Sequence, residues 1–252
     1  MAAVESRLEV TFPSDAAHDQ DEEWCEVRRD GEVRRIRFHD YAEVFAIPGL
    51  YERLFHEQLE CDSPRTVCAL LDRALSDAGF DGGDLRVLDL GAGNGLVGEQ
   101  LAELGASTIV GVDIIEAAAA AAARDRPGVY SDYRVLDLTD VSQADLRDLR
   151  RHDFNCLATV AALGFGDIPP RAFTTAYDLV AVDGWVAFNI KEDFVDAGDS
   201  SGFSALIRGG FEQGALELAA EHRYQHRLAT DGEPIHYVAM IARKRGDLPL
   251  AA

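Results

Sequence analysis

The sequence predicts a doubly wound α/β fold: a mostly parallel sheet ending in an antiparallel hairpin, preceded by an N-terminal hairpin and a helical cap. Three observations carry this. From Leu85 onward, short apolar runs alternate with helical segments across brief joints, the pattern of parallel strands covered by helices on both faces. The last two strand-like runs are separated only by the turn TDGEP, too short for a crossover and suited to an antiparallel pair. The chain before Leu85 has its own turn signals and short helices.

Taken in order, an acidic start, DAAHDQDEE, leads into WCEVRRDGEVRRIRF, two extended runs flanking Asp30-Gly31. That dipeptide is a strong type I′ hairpin signal. HDYAEVFAIPGLYERLFHEQLE reads as short helices interrupted at Pro48-Gly49, and Ser63-Pro64 opens a helix that runs to about Ala78 before Gly79 ends it. The core then reads as strand LRVLDL, helix GLVGEQLAELG, strand STIVGVD, helix IEAAAAAAARD and strand DYRVLDL. It continues with strand FNCLATVAAL, helix PRAFTTAYDLVA, strand GWVAFNI and the closing pair LAAEHRYQHRLA and IHYVAMIARK. The expected division is a hairpin and lid over 1–62, a core over 63–247 and a tail over 248–252.

Composition narrows the function classes. The 252 residues carry 45 acids against 24 bases, a net charge of −21, which repels a phosphate backbone and disfavours nucleic acid as a partner. No apolar run approaches the roughly 20 residues that span a bilayer, so no membrane partner is expected. MAAVESRLEVTF has neither the basic start nor the apolar centre of a signal peptide. Cys25, Cys61, Cys68 and Cys156 are irregularly spaced, forming neither a disulfide framework nor a zinc pattern, and a reduced cytoplasm is the expected location.

DLGAGNGLVG, Asp89 to Gly98, admits two frames. From Gly93 it is G-x-G-x-x-G, the phosphate-cradling turn of dinucleotide enzymes; from Asp89 it is D-x-G-x-G-x-G, which resembles the S-adenosylmethionine loop of class I methyltransferases. The first core strand ends at Leu90, so the turn begins at Gly91. The dinucleotide frame would start two residues late and leave Gly91 without a role. Asp89 discriminates further, because a carboxylate there repels a pyrophosphate and suits a cationic ammonium.

With the terminal hairpin, the chain from Leu85 to about Arg245 resembles the seven-stranded, Rossmann-like fold of class I methyltransferases, and S-adenosylmethionine is the cofactor this resemblance implies. It sets Asp89 near the methionine ammonium, with Gly91, Ala92, Gly93, Asn94 and Gly95 as the turn. Asp113, closing STIVGVD, takes the ribose hydroxyls, a role shared with dinucleotide enzymes, and Ile114 follows it. Asp137, at the end of the third core strand, is set on the adenine amino group, with the Leu138 amide on a ring nitrogen; a turn cap is the alternative role for Asp137. Ala161, Tyr41 and Tyr51 complete the expected donor site.

Within that class, ATVAALGFGDIPPRAFTTAYDLVAVDGWVAFNIKEDF is similar to the methyltransferase-like proteins of the Williams-Beuren region and their bacterial relatives. Asn155 stands where an aspartate commonly precedes the fourth core strand, and Asp183-Gly184 replaces a proline-glycine-glycine turn. Neither touches the expected donor pocket.

Methyl transfer from a sulfonium needs alignment and desolvation above all, so no conspicuous catalytic signature is expected. The acceptor is expected under HDYAEVFAIPGLYERLFHEQ, where Tyr41, Phe45, Tyr51 and Phe55 accompany His39 and His56; the same stripe also suits plain core packing. His39 is the candidate base by the titration range of imidazole. Lys191 and Glu192 follow the fifth core strand and are candidates for acceptor contact or for a surface ion pair. Trp185 is expected to pack at the start of that strand.

The cluster Arg28, Arg29, Arg34, Arg35 and Arg37 suits an anionic acceptor, but interleaved Glu26 and Glu32 favour a self-neutralised face. His222, His226 and His236 are placed to converge across the hairpin, yet no metal is expected there. The reading is therefore a methyltransferase acting on a small-molecule acceptor. A protein methyltransferase, a same-fold enzyme that uses the donor for chemistry such as cyclisation, and a non-catalytic donor-binding module are the alternatives.

Overall fold

The computed structural model describes residues 8–13, 22–163, 167–192 and 202–249. A seven-stranded sheet runs through the centre. Its strands are β4 (Arg86–Leu90), β5 (Thr108–Asp113), β6 (Asp132–Val135), β7 (Cys156–Thr159), β8 (Trp185–Lys191), β9 (Leu216–Leu228) and β10 (Pro234–Lys244), in the spatial order β6-β5-β4-β7-β8-β10-β9. Pairs among β4 to β8 are parallel, and only β10 runs against its neighbours, inserted between β8 and β9. This is the expected doubly wound sheet with its terminal hairpin.

Successive residues of β4 and β5 face opposite ways, as the strand period of two requires. Leu88, Leu90, Val110 and Val112 join a core with α5 (Gln143–Arg150), α6 (Pro170–Asp178) and α7 (Gly202–Glu212). Val87 and Ile109 join the opposite core with α2 (Ser63–Asp77) and α3 (Leu96–Glu103). Both faces are buried, so each fully buried Leu or Val contributes roughly 1.5–3 kcal/mol of transfer free energy.

The segment before α2 has a core of its own. The expected hairpin, β2 (Trp24–Arg29) and β3 (Glu32–Arg37), gains a third strand, β1 (Glu9–Thr11). Asp30 and Gly31 both have positive φ, 52° and 85°, as a type I′ turn requires. Ile36 and Phe38 pack there with Val44 of α1 (Tyr41–Ala46) and with Leu54 and Phe55 of a π-helical segment, Glu52–Gln58. Arg28, Arg29 and Arg34 pair with Glu9, Asp30 and Glu43 at 3.8, 3.6 and 3.3 Å, acids other than the interleaved Glu26 and Glu32, and the Arg35 guanidinium lies 3.8 Å over the Trp24 ring.

Several elements differ from expectation. The third core strand stops at Val135, two residues before Asp137, because β6 is an edge strand held only by β5. The fourth stops at Thr159, where Ala161 turns to φ 55° and its N–H is captured by Asn189 Oδ1 at 2.7 Å. Helices α5 and α7 and strand β1 were not anticipated; α5 is strongly polar and starts on a Ser142 side-chain cap. The two departures in the fourth-strand region have structural uses. Asn155 accepts from the Arg86 amide and donates to the Asp84 carbonyl, both at 2.8 Å, joining β4 to β7. Asp183 sits at φ 64° and pairs with Arg245.

Candidate active site

The glycine turn sits where β4 feeds α3, at the carboxyl edge of the sheet. Gly91, Gly93 and Gly95 have φ values of 72°, 54° and 91°, a region costly for any side chain. The Gly91 and Ala92 amides bond to the Val112 carbonyl at 2.9 and 3.2 Å, locking the turn to the neighbouring strand. Gly98 lies inside α3, where a Cβ would stand 2.6 Å from the Tyr130 ring. Gly98 is thus a packing glycine, and the operative frame begins at Asp89 and Gly91.

Around this turn lies a cavity of about 320 Å³. Of the expected donor residues, Gly91, Ala92, Gly93, Asn94, Asp113 and Ile114 line it, together with Asp137, Leu138, Ala161, Tyr41 and Tyr51. Asp113 accepts from the Gly93 amide at 2.9 Å and from the Ile115 amide at 3.0 Å, one bond to each oxygen. A carboxylate has about four acceptor positions, so capacity remains for ligand hydroxyls. Burial raises its pKa and the backbone bonds oppose the rise. Ile114, 62% exposed, offers an apolar surface beside it.

Asp137 reaches the cavity while its Oδ1 caps the following turn, accepting from the Thr139 amide at 2.8 Å and hydroxyl at 2.7 Å. The turn-cap role is thus observed, and the side chain also lines the cavity. Gly95 and Asp89 stand apart from the cavity lining. Gly95 gives α3 its left-handed entry, and Asp89 is fully buried behind the turn, accepting from the Tyr130 hydroxyl at 2.8 Å while its other oxygen has no hydrogen-bond partner among the described residues. Burial pushes its pKa to about 7, with Asp113 adding repulsion. The orphaned oxygen marks a place where nearby positive charge would be welcome.

On the other side of the cavity, His39 Nδ1 lies 3.4 Å from Asp167 Oδ1. Lys191 and Glu192 are not brought into the cavity: β8 carries them past its end, and Glu192 is held by Arg223 through two bonds of 2.5 and 2.9 Å. Among the described residues no group of three His, Cys, Asp or Glu is arranged to hold a metal. His226 is buried and bonded to Ser63 Oγ at 2.6 Å, while His222 is exposed.

Sequence reasoning missed the supports. The Tyr133 hydroxyl donates to the Gly93 carbonyl at 2.8 Å, and the rings of Tyr130 and Tyr133 fill the space over Gly111. Glu52 Oε1 receives Asn94 Nδ2 at 2.7 Å and Arg126 Nη1 at 2.9 Å, tying the π-helical segment to the turn and to the end of α4 (Glu116–Asp125). None of these side chains sits in a local motif; each of these hydrogen bonds spans at least 40 residues of chain.

Residues 88–188 match the family model described as a methyltransferase domain. The matched stretch runs from β4 into β8 and includes the glycine turn. The fold is similar to that of a Thermoplasma acidophilum protein, with 19% identity, 71% of this chain and 85% of that chain covered, and a TM-score of 0.50. It is also similar to magnesium protoporphyrin IX methyltransferase from Synechocystis, solved with bound SAH, at 15% identity over 72% of this chain and 82% of that chain, TM-score 0.50. No curated protein matches the sequence. The site suits the donor chemically: buried acids near the turn, apolar surface at Ile114 and Leu138, and an aromatic wall from Tyr41, Phe45 and Tyr51.

Proposed function

We propose that the protein is an S-adenosylmethionine-dependent methyltransferase that acts on a small-molecule acceptor beneath the N-terminal cap. The carrying observation is that the larger cavity adjoins a smaller one of about 40 Å³, the two sharing His39, Tyr41, Tyr51, Cys61 and Asp167 in their walls, and the smaller reaching Arg227 and Tyr237. A recessed space walled by Tyr41, Phe45 and Tyr51 limits water at the reacting centre, and its volume suits a small acceptor better than a folded macromolecule. The net charge of −21 adds a field that opposes RNA.

In this reading Asp113 holds the ribose hydroxyls, and Asp137 and the Leu138 amide hold the adenine edge. Gly91 to Gly95 and the charge of Asp89 accommodate the methionine portion. Bound there, the donor supplies an electrophilic methyl group. The chain's task is to press the acceptor against it in line and dry, which the stacked Tyr41, Phe45 and Tyr51 rings, 5.1 to 6.0 Å apart, are placed to do. The fourth-strand residues favour kinship with the Williams-Beuren-region group within the class, and residues 1–62 serve as lid to the 63–247 core.

Calorimetry with S-adenosylmethionine and with NAD tests the donor site: binding of the former alone is expected. Transfer of labelled methyl from the donor to a low-molecular-weight metabolite fraction, in parallel with bulk RNA and protein, tests the acceptor class. Label confined to RNA or protein would overturn the small-molecule reading.

A further inference from the structure

The junction between the two cavities contains an imidazole backed by a carboxylate. His39 and Asp167 each line both cavities, and they face one another at 3.4 Å across 128 residues of chain. We propose that His39 is the base of the reaction and Asp167 its positioning residue, and that the acceptor is a compound with an ionisable O–H or N–H. The inference rests on the reading of this space as the acceptor site.

The other polar groups around the junction are unsuited to the task. Burial raises the pKa of the Tyr41 and Tyr51 hydroxyls and of the Cys61 thiol, so none gives a ready anion. Arg227 is committed to Glu23 within the interior. His226 is stacked on Tyr237 and engaged by Ser63, and its proton affinity is suppressed, with a pKa of about 3. His39 is only partly buried and carries Asp167 behind it, with the Tyr41 ring edge-on at 5.7 Å to fix its plane.

As the acceptor's oxygen or nitrogen bonds to the methyl carbon, the carbon–sulfur bond breaks with its electron pair kept by sulfur. The acceptor's proton passes to the His39 imidazole, and the imidazolium is stabilised by Asp167 until the proton is released to water. The arrangement needs no oxidant or second reactant. General bases of this kind contribute about 10²–10⁴-fold.

Two measurements test it. In the whole protein, the ¹⁵N signals of the His39 ring should shift in Asp167→Asn as its tautomer balance is released, while S-adenosylmethionine affinity by calorimetry stays within about twofold. Labelled-donor transfer is then measured to phenol, catechol, imidazole and benzylamine as proton-bearing probes, and to dimethyl sulfide as a proton-free one. Transfer to a proton-bearing probe is expected, with kcat lowered about 10²–10⁴-fold in His39→Gln, lowered in Asp167→Asn, partly rescued in Asp167→Glu, and KM little changed. An unmoved His39 signal, full kcat in His39→Gln, or transfer to dimethyl sulfide alone or to no proton-bearing probe overturns the dyad. Failure of the wild type to bind S-adenosylmethionine would instead sink the donor-site reading.

Discussion

Asp113 joins two structural bonds to one proposed ligand contact. Asp113→Ala removes the acceptor for the Gly93 and Ile115 amides as well as the ribose partner. Hydrogen bonds to a charged group are worth about 1.5–3 kcal/mol, so S-adenosylmethionine affinity should fall at least tenfold by calorimetry. Asp89 and His226 tilt stability in opposite directions with pH. Burial holds the His226 pKa at about 3 and unfolding returns it to about 6.5. Between these values the unfolded chain binds the extra proton, and stability falls as the pH drops. The Asp89 pKa, raised to about 7 from the ordinary 3.8, puts the extra proton on the folded state, so stability falls as the pH rises through that window. Each contributes a slope of up to about 1.4 kcal/mol per pH unit. The two windows overlap between about 3.8 and 6.5, where the slopes offset one another. Urea denaturation across this range should show stability rising with pH in Asp89→Asn, where the His226 slope is left alone, and falling with pH in His226→Gln, where the Asp89 slope is left alone.

At the scale of elements, the glycine turn was legible because its three positive-φ positions demand the one residue type that tolerates them. Its supports were not legible. Tyr130 lies between α4 and β6 in a stretch without a motif, yet it fills the space over Gly98 and Gly111 and bonds Asp89. Gly98→Ala brings a methyl group within 2.6 Å of that ring and should cost about 1–3 kcal/mol, read as a lower urea midpoint with unchanged slope. The cap was expected as a lid, but its latch was not. Glu52 couples the π-helical segment to Asn94 and Arg126. Arg124 Nη1 donates to the Phe45 carbonyl at 3.2 Å, joining α4 to α1. Glu52→Ala should loosen the cap and shorten the residence time of S-adenosylmethionine, seen as a higher dissociation rate in stopped flow and faster amide exchange over residues 41–58.

At the scale of the whole molecule, an excess of 21 negative charges makes the folded state repel itself. Salt screens that repulsion, with a Debye length of about 8 Å at physiological ionic strength. The melting temperature should therefore rise as sodium chloride is increased from about 10 to 200 mM, and no duplex DNA retention is expected over that range. The order of the seven core strands, the parallel sheet with its terminal hairpin and the frame of the glycine turn could all be read from the chain. They rest on periodicity, on turn chemistry and on residue types that only certain backbone angles allow, and these are local properties. The pairing of His39 with Asp167, the burial of Asp89 behind the turn and the departure of Lys191 and Glu192 from the cavity were decided only by tertiary structure. They depend on which distant surfaces meet and on where β6 and β7 stop, and both are set by packing energies that no single stretch of sequence carries.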